Sequence, residues 1–101
     1  MPLKTTAKGE TVGMRLIDAK LAQRGLGTLA RFIAKRRTPG EDWTSYEEIA
    51  YELQALTGER VSRAGVEKWA VEKYGIPRTR RSATAKDRAA YLAVVERYLR
   101  R

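Results

Sequence analysis

The stretch Val61-Ser62-Arg63-Ala64-Gly65-Val66-Glu67-Lys68-Trp69 constrains the fold of this chain more than any other. Ser62 is a short hydroxyl residue of the kind that caps a helix start by accepting from a backbone N–H. A helix begun there sets Val66, Trp69 and Ala70 on one side as core and leaves Arg63, Ala64, Glu67 and Lys68 facing outward. Just upstream, Tyr46 to Leu56 reads as a second amphipathic helix. Two short helices in tight succession, the second presenting short and basic side chains, predict a helix-turn-helix, a shape that fits the major groove of DNA.

Start and stop signals extend this reading along the chain. Ser45, with Glu48 three residues on, predicts a capping box, and Ile49, Ala50, Leu53 and Leu56 form the apolar stripe behind it. Trp43, just before the cap, is expected to fold back over this helix as core. Gly58 is placed to end it, and the next helix is expected to run to about Tyr74, where Gly75 and Pro77 stop it. Toward the N-terminus, Val12, Leu16, Ala19 and Ala22 fall at helical spacing, with Leu21 alongside, until Gly25 and Gly27 interrupt. Thr28 offers a fresh N-cap for a helix through Leu29, Phe32 and Ile33. That helix closes on Lys35-Arg36-Arg37, whose charges suit a C-terminal dipole, before Pro39-Gly40 forces a turn.

A last helix is expected from Thr84, with Asp87 as capping partner, to the C-terminus. Its apolar residues Tyr91, Leu92, Val94, Val95, Tyr98 and Leu99 cover a broad face that must be buried. Either the rest of the chain covers it, the preferred reading, or the same helix of a second subunit does, giving a homodimer. No strand pattern and no internal repeat is present. The expectation is all-α, about five helices including a helix-turn-helix and a long C-terminal helix. It divides into a polar arm (1–10), a helix-turn-helix domain (11–76), a basic linker (77–83) and the C-terminal helix (84–101).

Charge narrows the partner. The 101 residues carry a net +9 at neutral pH, so an acidic polymer is the natural ligand. Residues 76–101 hold eight Lys/Arg against two Asp/Glu, two-thirds of the whole excess. The chain has no cysteine and no histidine, which removes disulfides, thiolate or imidazole metal sites and His-dependent catalysis. The remaining carboxylates, such as Glu47, Glu48, Glu59 and Glu72, sit where capping and solvation explain them. No enzyme, cofactor or metal is therefore expected. No apolar run approaches the ~20 residues that span a bilayer, and the N-terminus lacks a signal-peptide core, so the expected location is the cytoplasm, without membrane contact.

On double-stranded DNA, the first turn of the second helix would reach deepest into the groove. Arg63 suits guanine O6 and N7, Ala64 a thymine methyl, Glu67 a cytosine amino group, and Lys68 a guanine or a phosphate, each good pair discriminating by roughly 1–3 kcal/mol. Phosphate or minor-groove contacts are expected from Ser45, Arg60, Ser62, Lys73, Arg78, Arg80 and Arg81, and from Lys35, Arg36 and Arg37.

Ile49-Ala50, Val61-Ser62, Val66 and Trp69 resemble the signature of Cro- and repressor-type helix-turn-helix proteins. Trp43 before the first helix and Thr57-Gly58 before the second resemble small DNA-binding proteins of phages that infect actinobacteria. The likeness spans about residues 43–75 and implies a transcriptional repressor or phage immunity switch occupying an operator. The chain departs from that pattern between Leu53 and Ser62, where the usual short turn is replaced by a longer first helix or a looser connection, and it lacks glutamines at the two helix starts. The competing expectations are an architectural, excisionase-like DNA-bending protein and a module that contacts RNA polymerase or a recombinase.

Overall fold

The computed structural model describes residues 12–100, and the arm expected over residues 1–10 lies outside them. Among the described residues there are five helices and no strand: α1 (Val12–Gln23), α2 (Leu29–Arg36), α3 (Tyr46–Thr57), α4 (Arg63–Lys68) and α5 (Ala85–Leu99). A π-helical turn, Trp69–Lys73, continues α4. None of these helices is long and apolar enough to cross a membrane.

Local chemistry starts the helices where it was expected to. Thr28 and Ser62 accept from Arg31 N–H and Gly65 N–H, while Ser45 with Glu48 and Thr84 with Asp87 form reciprocal capping boxes. Each such cap contributes about 1 kcal/mol by pairing a backbone donor that the helix itself cannot satisfy. Gly58 ends α3 in the left-handed region (φ 76°), which a side chain would resist. Gly75 (φ 68°) closes the π turn, so that Ile76 N–H donates back to Ala70 O at 2.7 Å and the Ile76 side chain is fully buried.

The core joins Ile17 and Leu21 of α1, Leu29 and Ile33 of α2, Ile49 and Leu53 of α3, Val66 of α4, Ile76 just after the π turn, and Val95 of α5. Val66, Trp69 and Ala70 face inward as the spacing predicts, and so do Ile49, Ala50 and Leu53. The face of α1 differs from expectation. Met14, Ile17 and Leu21 are buried, while Leu16, Ala19 and Ala22 are exposed. Both stripes have helical spacing, and the polar residues between them decide the rotation. Asp18 accepts from Leu29 N–H at 2.7 Å, pairing a donor at the start of α2. Lys20 donates to Thr57 O and Glu59, and Arg24 to Leu56 O, so cations from α1 meet the carbonyl end of α3.

The C-terminal helix packs on α2 within the chain. Tyr91 and Val95 are buried, Leu92, Tyr98 and Leu99 are partly covered, and Val94 stays half exposed. Tyr91 Oη donates to Ala34 O at 2.6 Å, and burial raises its pKa above the ordinary tyrosine value, the nearby Arg37 charge opposing. Tyr98 Oη donates to Tyr74 O at 2.7 Å, and the two rings meet edge to face.

Candidate nucleic-acid interface

The helices α3 and α4 pack against each other across a five-residue connection, residues 58–62. Val61 anchors that connection: its side chain is buried and its N–H donates to Gln54 Oε1 at 3.2 Å. Ser62 then caps α4, so its hydroxyl is committed to Gly65 N–H at 2.9 Å. On the outer face Arg63, Ala64 and Lys68 are exposed, and Arg60 and Lys73 flank them at either end.

Glu67 is the most tightly held of the four expected base readers. Its Oε2 accepts from Arg78 Nε at 2.9 Å, and its Oε1 lies 3.7 Å from Arg63 Nη1. One carboxylate thus ties α4 to the segment that follows it. Ala64, Glu67, Lys68, Val71, Glu72 and Arg78 surround a shallow concavity there.

The segment expected to be an exposed basic linker is held at its centre. Thr79 Oγ1 donates to Arg37 O at 2.6 Å and accepts from Trp43 Nε1 at 3.0 Å. Arg78 and Arg80 on either side of it are exposed. Arg81 donates to Trp43 O at 3.3 Å and lies over the indole ring. Trp43, expected as core over α3, is only half buried and fastens this strap instead.

Besides Ser62, three more of the expected phosphate contacts are spent elsewhere. Arg37 is 3% exposed; it donates to Thr44 O and Thr79 O, and its guanidinium lies 3.8 Å from the Tyr46 ring centre and 4.8 Å from that of Trp43. Burial pulls its pKa below the ordinary arginine value, with Tyr46 and Tyr91 opposing, and its Nε has no hydrogen-bond partner. A group so enclosed does not reach a phosphate. Arg36 stacks on Phe32 at 3.5 Å and pairs with Glu52 at 2.6 Å, bracing α2 against α3. The hydroxyl and N–H of Ser45 are engaged with Glu48, and Glu47 adds a second carboxylate beside it. Lys35 alone of its cluster is exposed.

Charge is divided between neighbouring stretches. Residues 41–59 hold six Asp/Glu and no Lys/Arg, whereas residues 60–81 hold seven Lys/Arg and two Glu. A polyanion is therefore repelled from α3 and drawn to α4 and the strap. Tyr51 was not anticipated: it is 67% exposed on α3 and borders a cleft with Gln54, Val61 and Arg63. Its signal in the sequence is an aromatic residue off the apolar stripe of α3. No protein-family model, no curated protein and no solved structure matches this chain.

Proposed function

We propose that this protein is a sequence-specific double-stranded DNA-binding regulator of transcription, with α3 and α4 as its helix-turn-helix and α4 as the helix that enters the major groove. The observation that carries this reading is the pairing of a groove-sized helix with an adjoining cationic strap. The inner face of α4 and of the π turn that continues it is packed by Val66, Trp69 and Ala70, the outer face of α4 offers Arg63, Ala64 and Lys68, and the strap sets Arg78 and Arg80 next to it. Base edges are read from the helix, and the strap and Lys73 supply phosphate contacts that carry no sequence information. Repression, by covering a promoter, is the role that the resemblance to Cro- and repressor-type proteins supports.

Among the exposed cations along α4 and the strap, Lys68, Lys73, Arg80 and Arg81 are assigned to phosphates, with Arg36 and Arg37 withdrawn. Four such contacts correspond to a log-affinity against log-salt slope of roughly −4. The deciding experiment is selection of bound duplexes from a random pool at about 150 mM salt, in the range where non-specific binding is already weak. Recovery of a motif supports the reading, and its symmetry reports monomer or dimer. Binding without a motif, lost as salt rises, leaves the architectural reading in its place. Arg63→Ala is expected to weaken the selected site by about 10–100-fold and random DNA far less, as for loss of a bidentate guanine contact. Equal losses on both would remove Arg63 as a base reader.

A further inference from the structure

We infer that Glu67 is a specificity filter: its carboxylate holds Arg63 and Arg78 away from phosphates and releases Arg63 only at a DNA site able to replace it. This rests on the DNA-binding reading above. The carboxylate occupies the middle of the outward face of α4 and touches both arginines, at 3.7 Å and 2.9 Å. Its side chain is 26% exposed, against 61% and 65% for its partners, so the acid is the sheltered member and the cations are the exposed ones.

The consequence follows from competition. A phosphate approaching α4 meets a carboxylate of its own sign at contact range and finds two of the nearest guanidinium groups already engaged. Random DNA offers Arg63 and Arg78 nothing but phosphate in exchange, and departure of both leaves a half-sheltered carboxylate without a partner. A cognate site offers more. Guanine O6 and N7 take Arg63, whose contact with Glu67 is the longer of the two, and a cytosine amino group can donate to the Oε1 that Arg63 vacates. The Arg78 pair, being shorter, can persist in that complex and keep the strap against the helix. Discrimination thus comes partly from a cost placed on the wrong partner.

The test is Glu67→Gln, which keeps the side-chain shape, alongside the wild-type protein. Both are taken through the same selection from a random duplex pool, and bulk-pool affinity is measured at about 50 mM salt, where phosphate contacts are weakly screened. The expected result is pool affinity raised by about 5–10-fold, a salt slope steeper by about one unit, and a flatter motif than the wild type recovers. Equal pool affinity, or a motif as sharp as the wild type's, overturns the filter while leaving the DNA-binding reading intact. Failure of both proteins to bind the pool at all defeats the DNA-binding reading itself, and failure of the variant alone overturns the filter. Unchanged thermal unfolding of the variant ties the outcome to the carboxylate rather than to the fold.

Discussion

Two arginine-rich stretches, Lys35-Arg36-Arg37 and Arg78-Thr79-Arg80-Arg81, look alike on paper and end in opposite places. The first closes a helix, where successive side chains point about 100° apart, so three in a row cannot share one surface. Lys35 faces out, Arg36 lies over Phe32 one turn back, and Arg37 turns into the protein between Trp43 and Tyr46. The second has no helix to turn it. Arg78 and Arg80 face out, while Thr79 between them points inward. The two stretches also meet, because Arg37 gives its carbonyl to Thr79 Oγ1 and its guanidinium to Thr79 O. A buried cation that looks like an ion-binding residue is the fixture that holds the exposed ones in place.

Replacing Arg37 is therefore expected to have the largest effect on stability. Arg37→Ala removes two charge-assisted hydrogen bonds, strands the carbonyls of Thr44 and Thr79, and empties the space against two aromatic rings. The expected loss is about 3–4 kcal/mol, read from urea unfolding near neutral pH. A loss below about 1 kcal/mol would place Arg37 among ordinary surface cations and erase the contrast between the stretches.

That contrast also marks what could be read before the structure was known. Every helix start with a hydroxyl cap was legible, because Thr28, Ser45, Ser62 and Thr84 act on N–H groups three residues away. The inward faces of α3 and α4 were legible from spacing alone. The rotation of α1 was not, since it depends on Asp18 meeting Leu29 and on Lys20 and Arg24 meeting the end of α3, 32 or more residues away for the two cations. The burial of Arg37 was equally hidden: its partners at residues 43–46 and 79 become neighbours only after folding. The π turn at Trp69–Lys73 had no local signal beyond Gly75, which closes it. At the candidate interface, Arg63, Ala64 and Lys68 were placed correctly on the outer face, but the clasp of Glu67 on Arg78 requires the strap to fold back across 11 residues.

A smaller effect is expected at the link itself. Thr79→Val keeps the side-chain volume and removes the hydroxyl that donates to Arg37 O and accepts from Trp43 Nε1–H. The indole N–H and a half-sheltered carbonyl are left unpaired, an expected loss of about 1–2 kcal/mol. Because the strap then loses one of its anchors, affinity for random DNA should fall as well, although no cation has been removed. A stability loss with unchanged DNA affinity would show that the strap holds its position by its remaining links, Arg37 to Thr79 O and Arg78 to Glu67.

The least effect on stability, and a clear one on binding, is expected from removing Arg80 and Arg81 together. Arg80 is exposed; Arg81 makes one 3.3 Å hydrogen bond and a loose 5.6 Å contact over Trp43, both at the surface. Such contacts are worth little in water, so stability should change by no more than about 0.5 kcal/mol. Binding responds differently, because each lost cation leaves a phosphate's counterion in place. The salt slope should become shallower by about two units, and affinity should fall by similar factors on selected and random duplexes. Loss confined to the selected site would make these arginines readers of sequence or groove width, in the manner of arginines in a narrow minor groove. Loss of stability comparable to that of Arg37→Ala would instead mean that both stretches serve the fold, leaving Lys68 and Lys73 as the phosphate contacts beside α4.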